Sequence, residues 1–245
     1  MKSWLIIILI GFFIVIAFVL DDKLGAMDGS DLSTSTPRIS PRTSIPNKLR
    51  DRVLLNVPFT PQAPFGDWGD SRQQDGCEEA SALMAMRWVQ NKAVTLAEAE
   101  KEIIAISDYE FQKYGNFHDT SVKDTIDRIF RGYFNYNNVT AKYDIDAEDI
   151  KNELSQGNLV IVPANGQKLK NPYYTPPGPL HHMLVIRGYD NKTGEFFTND
   201  PGTKQGELFR YSEQIMMNAI YEYPTGHNEP IYKIKKAMII VHPKP

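Results

Sequence analysis

DGCEEASALMAMRW, at residues 75–88, predicts a helix that begins beside the only cysteine of the chain. The side chains of one helical face recur at the i, i+3, i+4, i+7, i+8 spacing: Ala80, Leu83, Met84, Arg87 and Trp88. We expect Asp75 to cap the helix, with Glu78 as the acidic partner of a capping box. Gly76 and Cys77 would then occupy the first turn.

The predicted position of Cys77 at a helix start gives its thiol a special electrostatic environment. Unsatisfied N–H groups and the positive end of the helix dipole favour the thiolate over the thiol. The N–H of Cys77 could also donate to an anion that forms beside the sulfur, as one half of an oxyanion hole. Glu78 and Glu79 would disfavour a thiolate if they faced it. The alternative is a structural cysteine buried on the helix.

The rest of the sequence predicts helices first and strands afterwards. Three more helices are indicated, one after Thr95 (LAEAEKEIIAIS), one at about residues 122–130 and one at Ala147–Gln156, where Gly157 is a typical C-cap. The later strand-like segments are NLVIVP, HMLVIRGY, EFFTND and IYKIKKAMIIVHP, with a turn at residues 191–194. This order indicates an α+β fold with an antiparallel sheet.

Two shorter segments complete the predicted elements. LLNVPF, which starts near Val53, is the first strand-like apolar cluster of the folded part. Residues 211–221 favour a short helix between the later strands.

Thiolate catalysis needs a general base and a third group that orients the base. Of the five histidines, His118 and His227 lie in polar loops, and His242 lies close to the C-terminal end of the sequence. His181 and His182 instead open the predicted strand HMLVIRGYD. A strand start beside a loop can present a side chain into a cleft while the strand holds it rigidly.

Asp200 is the candidate for the orienting group. It ends the predicted strand EFFTND and precedes Pro201-Gly202. A hairpin between this strand and HMLVIRGYD would bring Asp200 close to the histidines. The alternative is an Asp-Pro-Gly turn in which the carboxylate caps its own backbone.

The N-terminal part of the sequence differs in composition from the remainder. Trp4–Leu20 is an unbroken apolar run preceded by Lys2, and it is close to the length that crosses a bilayer as a helix. We therefore expect residues 1–20 to form a transmembrane anchor, with a cleaved signal segment as the alternative. The Ser/Thr/Pro-rich residues 21–50 favour a flexible linker, and residues 51–245 one exported, extracytoplasmic domain.

Composition also argues against several classes of function. The net charge of −3 is spread along the chain, with no basic block to neutralise phosphates, so nucleic acid is not an expected partner. A single cysteine cannot form an intramolecular disulfide. Motifs of the HExxH and CxxC type are absent, and we expect no metal or other cofactor.

Four segments in order give the chain a family resemblance: VPFTPQ, DGCEEASALMAM, HMLVIRGYD and TNDPG. Together they resemble the papain-like cysteine peptidases, in the bacterial branch similar to bacteriocin-leader peptidases (family 39-like). The resemblance covers roughly residues 53–242. It implies a papain-like fold in which the nucleophile helix packs on the antiparallel sheet.

The resemblance also implies roles for particular residues. Cys77 would be the nucleophile, Asp200 the orienting group and His182 the general base, because counting back from Gly188-Tyr189-Asp190 reaches His182 rather than its neighbour His181. The oxyanion-hole glutamine of the family would be Gln62. Gln73 and Gln74 remain candidates for that role, since they are closer to the cysteine in sequence.

The implied activity is hydrolysis of peptide or amide bonds outside the membrane, on a peptide or protein substrate, cell-wall peptides included. Two alternatives share the same residues. One is a catalytically inactive papain-like domain that binds peptide or cell-wall polymer, and the other is a cell-wall amidase or transpeptidase. A purely structural surface protein would instead bury Cys77. Specificity would reside in the loops at residues 62–72 and 167–180, and the tyrosines and prolines of the second loop could form a wall or lid.

Overall fold

Seven antiparallel strands form a single sheet in the computed structural model, which describes residues 50–226, residue 231 and residues 235–243. The strands are β1 (Arg52–Leu54), β2 (Val139–Tyr143), β3 (Leu159–Ala164), β4 (His182–Asp190), β5 (Glu195–Asn199), β6 (Glu207–Ser212) and β7 (Ala237–Val241). Their order is β2-β7-β3-β4-β5-β6, and β1 pairs with the end of β4. The predicted α+β class with an antiparallel sheet is confirmed.

The hairpin of β4 and β5 is the part of the sheet that matters for the candidate site. Asp190 pairs with Glu195 next to the turn, and Val185 pairs with Asn199 at the far end. The residue after Asn199 therefore lies close to the start of β4. The predicted hairpin and its turn at residues 191–194 are confirmed.

The helices described by the structure are α1 (Ser71–Gln74), α2 (Cys77–Val89), α3 (Leu96–Tyr114), α4 (Val122–Asp124), a π-helix (Thr125–Tyr133), α5 (Ala147–Ser155), α6 (Gly166–Leu169) and α7 (Glu213–Ala219). Helix α3 begins with the Thr95/Glu98 capping box and continues beyond the predicted segment to Gly115, whose φ of +77° ends it. The helix predicted near residues 122–130 is present, but most of it is a π-helix.

The capping prediction for α2 was wrong. Its N-cap is Gly76, which makes no side-chain capping bond, and Cys77 is the first helical residue. Asp75 instead ends the short helix α1. Sequence patterns did not predict α1. Because Asp75 is the C-cap of this short helix, it is not available as the N-cap of α2.

Helices cover both faces of the sheet. Leu159, Ile161, Met183 and Val185 pack with α2, α3 and the π-helix, whereas Val160, Val162, Leu184 and Ile186 pack with α5 and α7. Strands β3 and β4 are therefore buried almost throughout, which explains their continuous apolar sequences. Each fully buried aliphatic side chain stabilises the fold by roughly 1.5–3 kcal/mol.

Strands β2 and β6 were not predicted from the sequence. They are the two ends of the strand order, and most of their residues are at least partly exposed. Their sequences, VTAKY and ELFRYS, accordingly lack the apolar pattern of a buried strand.

Residues 1–20, predicted as an anchor, lie outside the described residues, as does the predicted linker apart from Arg50. Across the part of the chain that is described, no helix has the length and apolar character needed to cross a membrane.

Candidate active site

The N-terminus of α2 carries Cys77 into a cleft. Gly76 is required before it, because a Cβ there would come within 2.6 Å of the Arg72 carbonyl oxygen and 3.1 Å of Ile103. Over the described residues, the N–H of Cys77 has no hydrogen-bond acceptor. That group is therefore available to donate to an anion beside the sulfur.

A hydrogen bond between elements joins α2 to the start of β4. Ser81, one turn after Cys77, donates its hydroxyl proton to the carbonyl oxygen of Met183 at 3.1 Å. This contact fixes the first turn of α2 beside His182, and both Cys77 and His182 line a cleft of about 660 Å³. The structure thus brings two of the predicted site residues to one surface.

His182 and Asp200 form a buried pair. The distance from Nε2 of His182 to Oδ1 of Asp200 is 2.8 Å, and both side chains are almost completely buried. A carboxylate only accepts hydrogen bonds, so Nε2 carries the proton and Nδ1 of a neutral imidazole is left as an acceptor. The predicted proximity of Asp200 to the start of β4 is confirmed.

Three further side chains donate hydrogen bonds to Asp200, and the sequence had not indicated two of them, Asn171 and Tyr211. Its Oδ2 accepts from the hydroxyls of Tyr174 and Tyr211 at 2.6 Å each and from Asn171 at 3.1 Å. Burial alone would raise the pKa of Asp200, but His182 and these hydroxyl donors lower it to about 2. The carboxylate therefore stays ionised across the physiological pH range.

Tyr174 shows that the loop at residues 167–180 contributes to the cleft. Its ring also packs edge-on against His182, with ring centres 5.6 Å apart. Tyr173 and Pro179 line the same cleft, as does Trp68 from the loop at residues 62–72. The tyrosine-and-proline pattern had indicated this wall, but Asn171 and Tyr211 gave no signal that distinguishes them from structural residues.

Gln62, the predicted oxyanion-hole residue, lines the cleft but is engaged with the backbone. Its amide nitrogen donates to the carbonyl oxygens of Gln73 at 3.0 Å and of Gln74 at 2.8 Å. These two bonds use both amide protons, so donation to an oxyanion would require one of them to be released. Of the alternatives, Gln74 also lines the cleft, whereas Gln73 is buried beside it.

The thiol of Cys77 is hydrogen-bonded to the neighbouring carboxylate. Sγ donates to Oε2 of Glu78 at 3.0 Å, and the hydroxyl of Tyr223 donates to Oε1 of Glu78 at 2.7 Å. Burial and the charge of Glu78 raise the pKa of the Cys77 thiol well above its ordinary value. This direction is opposite to the one expected from the helix N-terminus, because burial of the thiol and the carboxylate of Glu78 outweigh the effect of the helix dipole.

A second histidine–aspartate pair lines the same cleft. Nδ1 of His181 lies 2.9 Å from Oδ2 of Asp119, and both side chains are buried. The His181 ring stacks on Tyr223 with ring centres 4.8 Å apart. Asp119 belongs to the loop YGNFHDTS, in which the sequence had drawn attention only to the histidine.

Of the remaining histidines, the structure describes His118 and His242, and both contact other groups. His118 stacks on Phe117 and lies 3.6 Å from Asp75, and His242 contacts Asn158 and Thr140. His227 lies outside the described residues. No three His, Cys, Asp or Glu side chains are grouped to hold a metal ion anywhere in the described ranges.

One comparison with known proteins identifies a family. The sequence profile of the Peptidase_C39 like family matches residues 54–226, more than half of the chain. No curated protein sequence matches significantly. Similar solved structures include a protein described as a C39-like peptidase from Bacillus anthracis, 16% identical with a TM-score of 0.49 over 80% of this chain and 100% of that one. Xylellain, a cysteine protease from Xylella fastidiosa, is 16% identical with a TM-score of 0.43 over 84% and 91%.

Proposed function

The chain belongs to the Peptidase_C39 like family of cysteine peptidases, and from this premise we propose that Cys77 is its nucleophile, His182 its general base and Asp200 the orienting carboxylate. The observation that carries the proposal is the buried His182–Asp200 pair, 2.8 Å apart, in the cleft that Cys77 also lines. Peptides are the substrates that the family implies.

The proposed reaction is acyl transfer through the sulfur. The thiol proton of Cys77 passes to Nδ1 of His182, and the thiolate attacks the substrate carbonyl carbon. The N–H of Cys77 donates to the resulting oxyanion, joined by Gln62 once one of its amide protons is released. The imidazolium then protonates the leaving amine, and water hydrolyses the thioester to free Cys77.

A second candidate is an inactive domain that binds peptide or cell-wall polymer in the same cleft. The observation that favours it is the thiol of Cys77, which donates to Glu78 and has a raised pKa. An amidase or transpeptidase acting on the cell wall would use the same residues and differ only in substrate.

We also propose that the domain acts outside the membrane, tethered by the apolar segment Trp4–Leu20. The support is the sequence, in which this run has the length of a bilayer-spanning helix and is followed by a polar linker.

The catalytic proposal is tested by peptidase assays on a peptide mixture, with wild type, Cys77→Ala and His182→Ala. We expect each variant to lose at least about 1000-fold in kcat/KM, because the nucleophile and base act as a unit. His242→Ala is the matched control, since that histidine lies outside the cleft, and it should retain activity. The proposal would be refuted by peptidase activity that survives the Cys77→Ala substitution, or by activity that survives complete alkylation of the thiol by iodoacetamide.

The same variants separate the inactive alternative. If wild type has no peptidase activity but binds peptides with an affinity that Cys77→Ala leaves unchanged, the cleft is a binding site. A cell-wall enzyme would instead release fragments from purified wall material and lose that activity with Cys77→Ala.

A further inference from the structure

Cys77 and Glu78 are adjacent in sequence, and their side chains also meet. The thiol donates to one carboxyl oxygen of Glu78 at 3.0 Å, while Tyr223 donates to the other at 2.7 Å. Cys77 is 4% exposed, and Glu78 and Tyr223 are fully buried. Glu78 takes part in no step of the proposed reaction, although its carboxyl group is hydrogen-bonded to the proposed nucleophile.

We propose that Glu78 is a positioning residue that controls the thiol: its neutral carboxyl leaves the Cys77 proton free to pass to His182, and its ionised carboxylate retains that proton. This inference rests on the proposed role of Cys77 as nucleophile. It adds an upper pH limit to the activity, set by a residue that does not touch substrate.

The Cys77 thiol has only one proton for two possible acceptors. A thiol has one proton and can donate one hydrogen bond, so a bond to Oε2 of Glu78 excludes a bond to Nδ1 of His182. The bond to Glu78 must break before His182 can take the proton. A carboxylate accepts this hydrogen bond more strongly than a neutral carboxyl does, so ionisation of Glu78 strengthens the competing bond.

The charge of Glu78 also acts on the thiolate. A thiolate beside an ionised Glu78 would place two negative charges in contact in a buried site, where their repulsion is poorly screened. Once Glu78 is neutral this repulsion disappears. A neutral carboxyl can also donate its own proton to the sulfur, which stabilises the thiolate.

The surroundings of Glu78 determine when its charge changes. The titratable groups around it are Glu79 on α2, Glu110 on α3, Asp119 in the following loop and Tyr223 after α7, with His181 stacked on Tyr223. Burial and the charge of Asp119 raise the pKa of Glu78 to about 8, although the Tyr223 hydroxyl bond opposes the shift. The carboxyl is therefore mostly neutral below about pH 8 and ionised above it.

The experiment measures the rate at which iodoacetamide alkylates the full chain between pH 6 and 10. The chain has one cysteine, so the loss of free thiol, which is the quantity followed, reports on Cys77 alone. Glu78→Gln preserves the shape of the side chain and keeps it neutral at every pH. We expect Glu78→Gln and wild type to react at similar rates at pH 6.5, and the variant to react at least about tenfold faster at pH 9.5.

Glu79→Gln is the matched control. Glu79 lies next in the same helical turn and is equally buried, but its carboxylate accepts from Ser107 of α3 rather than from the thiol. We expect its alkylation rate to stay within about threefold of wild type at both pH values. A tenfold acceleration of the control would overturn the assignment to Glu78.

Tyr223→Phe keeps the proposal testable if Glu78→Gln does not fold. Loss of the hydroxyl removes a bond that favours ionised Glu78, so the neutral form persists to higher pH. We expect alkylation at pH 9 to be faster than in wild type. The inference is overturned if the ratio of the Glu78→Gln alkylation rate to the wild-type rate does not change with pH, or if Glu78→Gln reacts more slowly than wild type at every pH. It is also overturned if Tyr223→Phe reacts no faster than wild type at pH 9.

Alkylation also separates this inference from the proposed function. If Glu78→Gln changes the pH profile as expected but Cys77→Ala keeps its peptidase activity, Glu78 controls a thiol that is not the nucleophile, and the proposed function alone fails. If peptidase activity requires Cys77 and His182 while the Glu78→Gln profile matches wild type, the inference alone fails.

Discussion

Five hydrogen bonds converge on the carboxylate of Asp200, from His182, Asn171, Tyr174, Tyr211 and the N–H of Gly202. This number explains why a fully buried carboxyl remains ionised. A pKa lowered to about 2 means that ionised Asp200 stabilises the fold above about pH 4, and that this contribution is lost as the pH falls toward 2. The carboxylate is therefore suited to orient His182 rather than to exchange protons.

Asp200→Asn tests that role at the level of a single residue. Asn keeps the shape but not the charge that would stabilise the imidazolium, so we expect kcat to fall at least about 100-fold with KM within about threefold. Steady-state kinetics on one peptide substrate measure both constants. Tyr211→Phe, which removes one donor and leaves the charge, should lose less than about tenfold. Unchanged kcat in Asp200→Asn would restrict Asp200 to a structural role.

The contact between α2 and α3 contains buried carboxyls that form no ion pair with any cation among the described residues. Glu79 of α2 accepts from Ser107 of α3, and neither carboxyl oxygen of Glu110 has a hydrogen-bond partner among the described residues. Burial, and then the charge of Glu78, raises the pKa of Glu110 to about 9. Because Glu110 ionises near pH 4.3 in the unfolded chain, its contribution to stability is fully present below that pH and is lost as the pH rises toward 9.

Glu110→Gln removes this titration from the α2–α3 contact. Urea unfolding at pH 5 and pH 8.5 should show that wild type loses at least about 1 kcal/mol more of its unfolding free energy over this interval than the variant does. Glu100→Gln, at a half-buried position on the same helix, is the control and should lose as much as wild type. Equal losses in wild type and Glu110→Gln would contradict the assignment.

At the scale of the molecule, the sheet brings together side chains that are far apart in sequence. Cys77 comes from the helical half, whereas His182 begins β4 and Asp200 directly follows the neighbouring strand β5. Because helices bury both faces of β3 and β4, strand β4, which carries the proposed base, is held rigidly. A rigidly held base beside a nucleophile at a helix start is the arrangement that the proposed acyl transfer needs.

The proposed location concerns the whole chain. When the full chain is expressed in a bacterium, we expect it to stay in the membrane pellet after alkaline carbonate extraction, because Trp4–Leu20 has the length of a spanning helix. The domain should be digested by protease added outside the inner membrane. A variant with two lysines in place of Ile8 and Leu9 should lose membrane retention. Recovery of the unaltered chain in the soluble cytoplasmic fraction would refute the location.

Much of the fold follows from local patterns in the sequence. Helix α2, the capping box of α3, the glycine after α5 and the buried strands β3 to β5 all have signals that depend on residues close together in the chain. The helix start indicated Cys77 locally, and the strand start indicated His181 and His182 together; the family resemblance then selected His182. Strands β2 and β6 gave no such signal, because exposed edge strands need no apolar pattern.

Contacts between distant segments had to come from the tertiary structure. Sequence patterns indicated that Asp200 would approach His182, but not that Tyr211 and Asn171 would hold it. They placed Glu78 in the first turn of the cysteine helix, but not its carboxyl against the sulfur with Tyr223 behind it. Local periodicity reports which face a residue occupies, whereas the pKa of a buried group depends on whichever distant charges and donors the fold packs around it.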